Sequence, residues 1–183
     1  MDSKQLNYLV SHDFYLKKYS CSIISDFEIP LTLPLNEFFF ILTSIRKKRG
    51  LKDQNFEYIG HWILIDTLEV KNKKNPNQIT YFDPYGSSIQ SLKIKRCLKR
   101  TIQRYSAILH INSQNYQHKH STICGGIVAY VSLLRSRGFS LKVIQEKKLT
   151  KDLFFNVRFI PEFISYFLSP KNNKIKRFSL DFL

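Results

Sequence analysis

Gln117-His118-Lys119-His120-Ser121-Thr122-Ile123-Cys124-Gly125-Gly126, with an apolar run from Ile127 to Leu134 behind it, is the stretch around which this chain is organised. An apolar run without polar punctuation reads as a buried helix, and the cysteine stands at its threshold. Gly138 suits the left-handed position past the end of such a helix. A thiol at a helix N-terminus meets free backbone N–H groups and the positive end of the helix dipole, both of which favour the thiolate. Cys124 is therefore a candidate nucleophile. The rest of the chain must then supply a base, an orienting acid and a path for substrate.

Upstream of this stretch, Ala107 to Ile111 reads as a strand. A basic helix precedes it, capped at Ser87 and running to about Tyr105, with Ile89, Leu92, Ile94 and Leu98 inward. Lys93, Lys95, Arg96, Lys99, Arg100 and Arg104 cover the rest of that helix. Phe56 to Val70 and Ile79 to Asp83 read as paired strands joined by a polar loop over Lys71 to Gln78. The dense apolar run from Glu37 to Ile45 reads as a buried strand, a helix being its alternative, and Arg46-Lys47-Lys48-Arg49-Gly50 as a basic turn. Pro30 and Pro34 impose extended geometry on the segment before it. Residues 3–10 read as a short helix with Ser3 as cap, and Tyr8, Phe14, Tyr15 and Tyr19 continue an aromatic segment able to dock on the core.

Downstream, Leu141 to Ile144 reads as a short strand and Leu153 to Leu168 as an aromatic helix with Pro161 at a break or a new first turn. The mixed order of elements makes the chain α+β. A length of 183 residues without a dividing linker makes it one domain. Within it the expected catalytic core spans about 36–140, followed by a helical segment over 150–170 and a basic tail over 171–183.

A hairpin of the two paired strands would set His61, in Gly60-His61-Trp62, beside Asp83, in Phe82-Asp83-Pro84-Tyr85-Gly86. Acyl transfer through a thiol needs these residue types. The thiolate attacks the carbonyl, the imidazole takes and later delivers a proton, and the carboxylate fixes the imidazole's tautomer. Gln117, seven residues before Cys124, can donate to a developing oxyanion together with the backbone N–H of Cys124. Each residue alone has a plain structural reading: Asp83 a turn former, Cys124 a small core residue, Gln117 a loop residue, His61 a structural histidine. Their order and spacing together favour the chemical one. Asp66 lies five positions after His61 on the same strand and so faces the other side of the pleat. His118 and His120 near Cys124 lack a recognisable zinc spacing, and no metal is expected. Trp62 is expected to pack over His61 and limit water access, a plain core position suiting it equally.

Composition bounds the partners. The chain is 43% hydrophobic and 14% aromatic, which excludes a disordered segment. No apolar run approaches the roughly 20 residues of a membrane span. The opening MDSKQLNYLV does not read as a secretory signal. Cys21, Cys97 and Cys124 have no metal-type spacing, and free thiols in a reducing compartment are expected. Twenty-nine Lys and Arg against 14 acids leave +15, with a pI near 9.8. Such a surplus favours polyanions, nucleic acid first, although a Lys-rich solvated surface is the plainer alternative. The candidate basic clusters are Arg46, Lys47, Lys48 and Arg49, then Lys95, Arg96, Lys99 and Arg100 in the basic helix, and 171–177.

His61-Trp62, Phe82-Asp83-Pro84-Tyr85-Gly86 and the spacing of Gln117, Ser121, Cys124 and Gly125 resemble the adenovirus maturation protease and, more loosely, the SUMO proteases. The matching segments run from roughly 56 to 138, and the chain order His, Asp, Gln, Cys is the same; the adenoviral enzyme has Glu where this chain has Asp83. The resemblance implies a papain-like core, a mixed sheet flanked by helices with the cysteine helix central. It implies His61 as general base, Asp83 as its orienting acid, Gln117 as oxyanion donor and Cys124 as nucleophile, with Trp62 and Gly125 lining the substrate path. It further implies a cysteine endopeptidase cutting virion precursor proteins beside small residues such as glycine, in the virion and the infected cell. Asn/Lys-rich chains of this type point to virophages and related DNA transposons. DNA is the expected activating polyanion, and no other cofactor, no membrane and a monomer are expected. No peptide cofactor is expected either, because Cys97 lies in the basic helix, 27 residues before Cys124, and no cysteine matches that peptide's attachment site. The alternatives are a deconjugase of ubiquitin-like modifiers and a non-enzymatic basic protein that packages DNA.

Overall fold

A computed structural model of the chain describes residues 1–48, 56–68, 76–118, 121–149 and 152–168. Its centre is a five-stranded mixed sheet in the order β1 (Ser20–Ser25), β2 (Glu37–Lys48), β3 (Phe56–Asp66), β4 (Gln78–Phe82), β5 (Ile108–Ile111). The central pairs β2–β3 and β3–β4 are antiparallel, and the outer pairs β1–β2 and β4–β5 are parallel. Helices cover both faces, which makes the chain α+β.

The pleat sorts the side chains. Phe38 and Phe40 of β2, with Trp62 and Leu64 of β3 and Phe82 of β4, point to one core. Phe39 and Ile41, with Ile63, Ile65, Ile79 and Tyr81, point to the other. Each such side chain, fully buried, stabilises the fold by about 1.5–3 kcal/mol. On the first face lies α3 (Cys124–Ser136), all 13 of its residues buried between the sheet, α1 (Ser3–His12) and α5 (Leu153–Leu168). On the second lies α2 (Leu92–Tyr105), which contributes Ile94, Cys97 and Leu98 and turns its cations to solvent.

α3 is apolar all round because it has no solvent face. Its start can press this closely only without side chains. A Cβ at Gly125 would stand 2.8 Å from the Met1 carbonyl oxygen and 3.0 Å from the Trp62 ring, and one at Gly126 would stand 2.8 Å from Ile160 of α5. Its end is a Schellman motif, with Phe139 N–H on Leu134 O and Gly138 N–H on Arg135 O. Gly138 takes φ +90 there, as expected from the sequence.

Several boundaries differ from those expected. The cap of α1 is Asp2, which forms a reciprocal capping box with Gln5, and Ser3 is the first helical residue. The basic helix starts at Leu92, capped by Ser91, because Ile89 enters the core from the non-helical segment 86–91; Leu92 is 67% exposed. Residues 46–48 extend β2 through pairs with Tyr58, Glu57 and Phe56 instead of turning, while Arg49 and Gly50 lie outside the described residues. Ser140 caps Val143 and makes Leu141–Val143 helical (α4), with a wider turn over Ile144–Lys148, where a strand was expected. The strand β1 was not foreseen at all. Its sequence, Ser20-Cys21-Ser22-Ile23-Ile24-Ser25, has half its positions serine, and pairing with β2 supplies what propensity does not.

Candidate active site

β3 and β4 pair only from Leu64↔Phe82 to Asp66↔Thr80, so the strands part just where β3 carries His61 and β4 gives way to Asp83. A Pro84-Tyr85 turn follows, closed by Gly86 N–H on Asp83 O at 2.8 Å. Both residues are nearly closed to solvent, and His61 Nε2 lies 2.7 Å from Asp83 Oδ1. Asp83 Oδ1 also accepts the Tyr85 N–H at 2.8 Å. Asn112, buried just past β5, clamps the main chain of Asp83 from both sides: Asp83 N–H donates to its Oδ1 and its Nδ2 donates to Asp83 O, each at 2.7 Å.

Cys124 opens α3 with its thiol beside the His61 ring, which acts to lower it. With Nε2 engaged by Asp83, the ring nitrogen left for the thiol is Nδ1. Burial pushes the Cys124 thiol up. The hydrogen bond to His61, the Trp62 main chain, the charge of His61 and the Gly125 main chain more than offset it and hold the thiol below its ordinary value. Burial pulls His61 down, but the hydrogen bonds to Asp83 and Cys124 and the two negative charges raise it from 6.5 to about 9. The opposite shifts favour a thiolate–imidazolium pair at neutral pH.

Gln117 is held in the loop that packs on the Asp83 turn. Tyr116 N–H donates to Pro84 O at 2.8 Å, Asn156 of α5 donates to Tyr116 O at 2.9 Å, and Gln117 N–H donates to Asn115 Oδ1 at 2.9 Å. The buried side chain of Gln117 donates through Nε2 to Ser121 O at 2.5 Å and, more weakly, to the Tyr85 hydroxyl at 3.4 Å. The Tyr85 ring stacks on His61 with centroids 4.6 Å apart. Burial, then the charges of Cys124 and Asp83, raise the Tyr85 hydroxyl. Tyr85 thus bridges Gln117 and the His61–Asp83 pair.

The structure therefore brings His61, Asp83 and Cys124 together, and reaches Gln117 through Tyr85. Trp62 packs its ring against the Gly125 backbone on the face opposite Ile63. Asp66 does not approach His61; it holds Arg135 of α3 in a bidentate pair, Nε to Oδ2 and Nη2 to Oδ1, both 2.8 Å. Lys95, Arg96, Lys99 and Arg100 are exposed on α2. Arg46, Lys47 and Lys48 lie in β2, while Arg49, His120 and 171–177 lie outside the described residues. No group of three or more His, Cys, Asp or Glu among the described residues could hold a metal ion, and no described helix is long and apolar enough to cross a membrane. Sequence reasoning missed Tyr85, although it lies in the Asp83 turn, and Asn112, whose only signal was a polar residue directly after a strand.

Two clefts meet the site. One, of about 560 Å³, is walled by His61, Asp83, Tyr85, Thr43 and Asp26. The other, of about 670 Å³, follows the start of α3 past Thr122, Ile123 and Gly126 to Met1, Ile160 and Ile164.

Fold and site together define an α+β chain that carries a thiol–imidazole–carboxylate constellation. No known family pattern and no curated protein matches the sequence. Among solved structures it is similar to two crystal structures of the ASFV pS273R protease, one with selenomethionine. They share 16% identity, cover 66% of this chain, and give TM-scores of 0.42 and 0.39. The match spans 43% and 42% of the length of those chains, less than half. The chemistry of this chain is accordingly read from its own residues.

Proposed function

We propose that the chain is a cysteine endopeptidase with the papain-like arrangement of the adenovirus maturation protease. The observation that carries this reading is the buried His61–Asp83 bond of 2.7 Å beside a thiol at a helix N-terminus. In the proposed reaction the Cys124 thiolate attacks the scissile carbonyl carbon. The Gln117 side chain and the Cys124 backbone N–H bind the oxyanion. Collapse breaks the C–N bond as His61 delivers its proton to the leaving amine, and a thioester remains on Cys124. Water then gives a proton to His61 and its hydroxide to the thioester, releasing the acid and restoring the pair. Asp83 keeps the ring oriented throughout, with Asn112 and Tyr85 as positioning residues.

The proposed substrates are virion precursor proteins cut beside glycine, in the virion and the infected cell. The exposed cations of α2, Lys95, Arg96, Lys99 and Arg100 among them, and the +15 charge support DNA as an activating partner of a monomeric enzyme. Labelling with an electrophilic peptide ending in Gly-Gly, with and without DNA, tests this. Expected are one adduct, at Cys124, and faster labelling with DNA at low salt. An adduct elsewhere, or none, would remove the protease reading, and a rate indifferent to DNA would remove the polyanion. A modifier-conjugate panel separates a deconjugase: cleavage of conjugates alone would displace the maturation role.

Two expected results follow from the site. Gln117→Ala is expected to lower turnover by about 10²–10³ with little change in KM. Unchanged turnover would remove Gln117 from the oxyanion hole. The pH profile of kcat/KM is expected to be bell-shaped, since the reactive pair needs a pH above the depressed value of Cys124 and below the raised value of His61, about 9. Because His61 binds its proton more tightly folded than unfolded, the stability it contributes is full below 6.5 and is lost as pH rises to about 9. An alkaline limb near 6.5 would mean that Asp83 does not hold the proton on His61.

A further inference from the structure

The imidazole that takes the thiol proton also protonates the departing amine, so the residue after the scissile bond leaves from the His61 side. The cleft of about 560 Å³ walled by His61 and Asp83 opens there, and Cys124 is not among its lining residues. Asp26 stands in its wall, on the chain that leaves β1 and crosses toward β2. The Asp26 main-chain N–H is used on Leu42 O at 3.1 Å. Its side-chain Oδ1 is closed to solvent and has no hydrogen-bond partner.

Of the other polar side chains in this wall, Thr43, Ser87, Gln90 and Ser91 are neutral, and His61 and Asp83 are engaged with each other. Lys93, on the first turn of the neighbouring α2, gives its Nζ to the Phe27 carbonyl. Buried carboxylate oxygens are ordinarily paired, because removal from water is costly without a compensating donor. Among the described residues the Asp26 Oδ1 is nevertheless left without a partner beside the reacting groups, in a chain with 29 cationic side chains. Asp26 as a whole is only half-buried and lines the cleft, so a cationic group brought by the substrate would complete its carboxylate from that side.

We propose that Asp26 is the specificity residue of the leaving-group subsite, and that the substrate carries lysine or arginine immediately after the scissile bond. The inference rests on the endopeptidase reading above. The cation enters the cleft past Tyr85 and pairs with Asp26, while the polar wall takes its remaining donors. An acidic residue at the same substrate position meets a like charge and is rejected.

The test uses the full chain and quenched peptides of the form Gly-Gly-X, cut before X, with X as Lys, Arg, Ala or Asp. For the wild type, kcat/KM is expected to favour Lys and Arg over Ala by about tenfold to a hundredfold, the range of a charge-assisted hydrogen bond. Asp is expected to be the poorest. In Asp26→Asn, a near-isosteric change, the Lys to Ala ratio is expected to fall to within about twofold of one. In Asp26→Lys the order of the Lys and Asp peptides is expected to invert. Because each ratio is taken within one variant, a general loss of activity cancels. Equal rates for all four peptides, or a preference that survives Asp26→Asn, overturns the subsite and leaves the endopeptidase standing. Hydrolysis of none of them, together with no electrophile labelling at Cys124, overturns both.

Discussion

Cys124→Ala is expected to lower peptide hydrolysis by about a million-fold, as loss of the nucleophile does in a serine protease, with the fold retained. The two parts of that result have separate causes. Cys124 is 7% exposed at the first position of α3, and the helix behind it is held by a sheet face, by α5 and by a Schellman end, none of which involves sulfur. The change trims one heavy atom, so thermal unfolding should shift by no more than about 1 kcal/mol. No other described thiol can substitute. Cys21 is pushed to about 12, by burial first and then by the charges of Glu37 and Asp13, and Cys97 is raised by burial on the α2 face of the sheet. His61→Ala supplies the complementary result. It removes the strongest influence that lowers the Cys124 thiol and leaves burial opposed only by the Trp62 and Gly125 backbone. Alkylation of Cys124 at pH 7 should slow, and its pH midpoint should rise. A Cys124→Ala protein that still cuts peptides at a measurable fraction of the wild-type rate would place the nucleophile elsewhere. Alkylation unaffected by His61→Ala would mean that the two are not paired in solution.

What the sequence made legible follows from which residues carry a local signal. β2 and β3 announce themselves through β-branched and aromatic density. α3 does so through an apolar run that two glycines and a Gly138 terminator bracket. The His61–Asp83 meeting was inferable because a hairpin leaves little choice of partner, and the two are indeed 2.7 Å apart. β1 was invisible because its strand character comes from β2, across the connection 26–36, and not from its own serines. The start of α2 was misplaced because Ser87 and Ser91 are equal as caps; only burial of Ile89 decides between them. Asn112 and Tyr85 escaped for a related reason. Their functions are contacts with residues 29 and 24 positions away, the Asp83 backbone and the His61 ring, and no periodicity encodes such contacts. The same holds for Asp26, ordinary in sequence and unusual only because its Oδ1 is left unpartnered in the wall of the cleft.

Asp66→Ala is expected to destabilise the protein by about 3–5 kcal/mol, a large share of the roughly 5–15 kcal/mol that holds a domain folded. Asp66 is fully buried and Arg135 nearly so, and they meet through two bonds of 2.8 Å. Burial works against the charge of Arg135, and the Asp66 carboxylate more than offsets it. Without Asp66 the guanidinium keeps only its bond to Phe139 O at 2.9 Å and stays buried with an unpaired charge. That stranded cation is the larger part of the cost, so a double change of Asp66→Leu with Arg135→Met should recover most of the loss. Urea unfolding of the three proteins measures both effects through their midpoints. The position of the pair gives the result its meaning for catalysis. Asp66 ends the strand that carries His61, and Arg135 lies in the last turn of the helix that begins with Cys124. Arg137, just past that helix, pairs with Asp13 at 2.7 Å, so the same end of α3 is tied to the N-terminal segment as well. Cys124 and His61 sit on separate elements, and ties at the far end fix how far α3 can slide along β3. In the double variant stability should return while turnover stays below wild type, because apolar packing restores burial but not the directional bonds that set this register. Full recovery of turnover would show that packing alone aligns the helix. A loss below about 1 kcal/mol in Asp66→Ala would show that Arg135 finds water or another acceptor, and that the pair does not hold the two elements together.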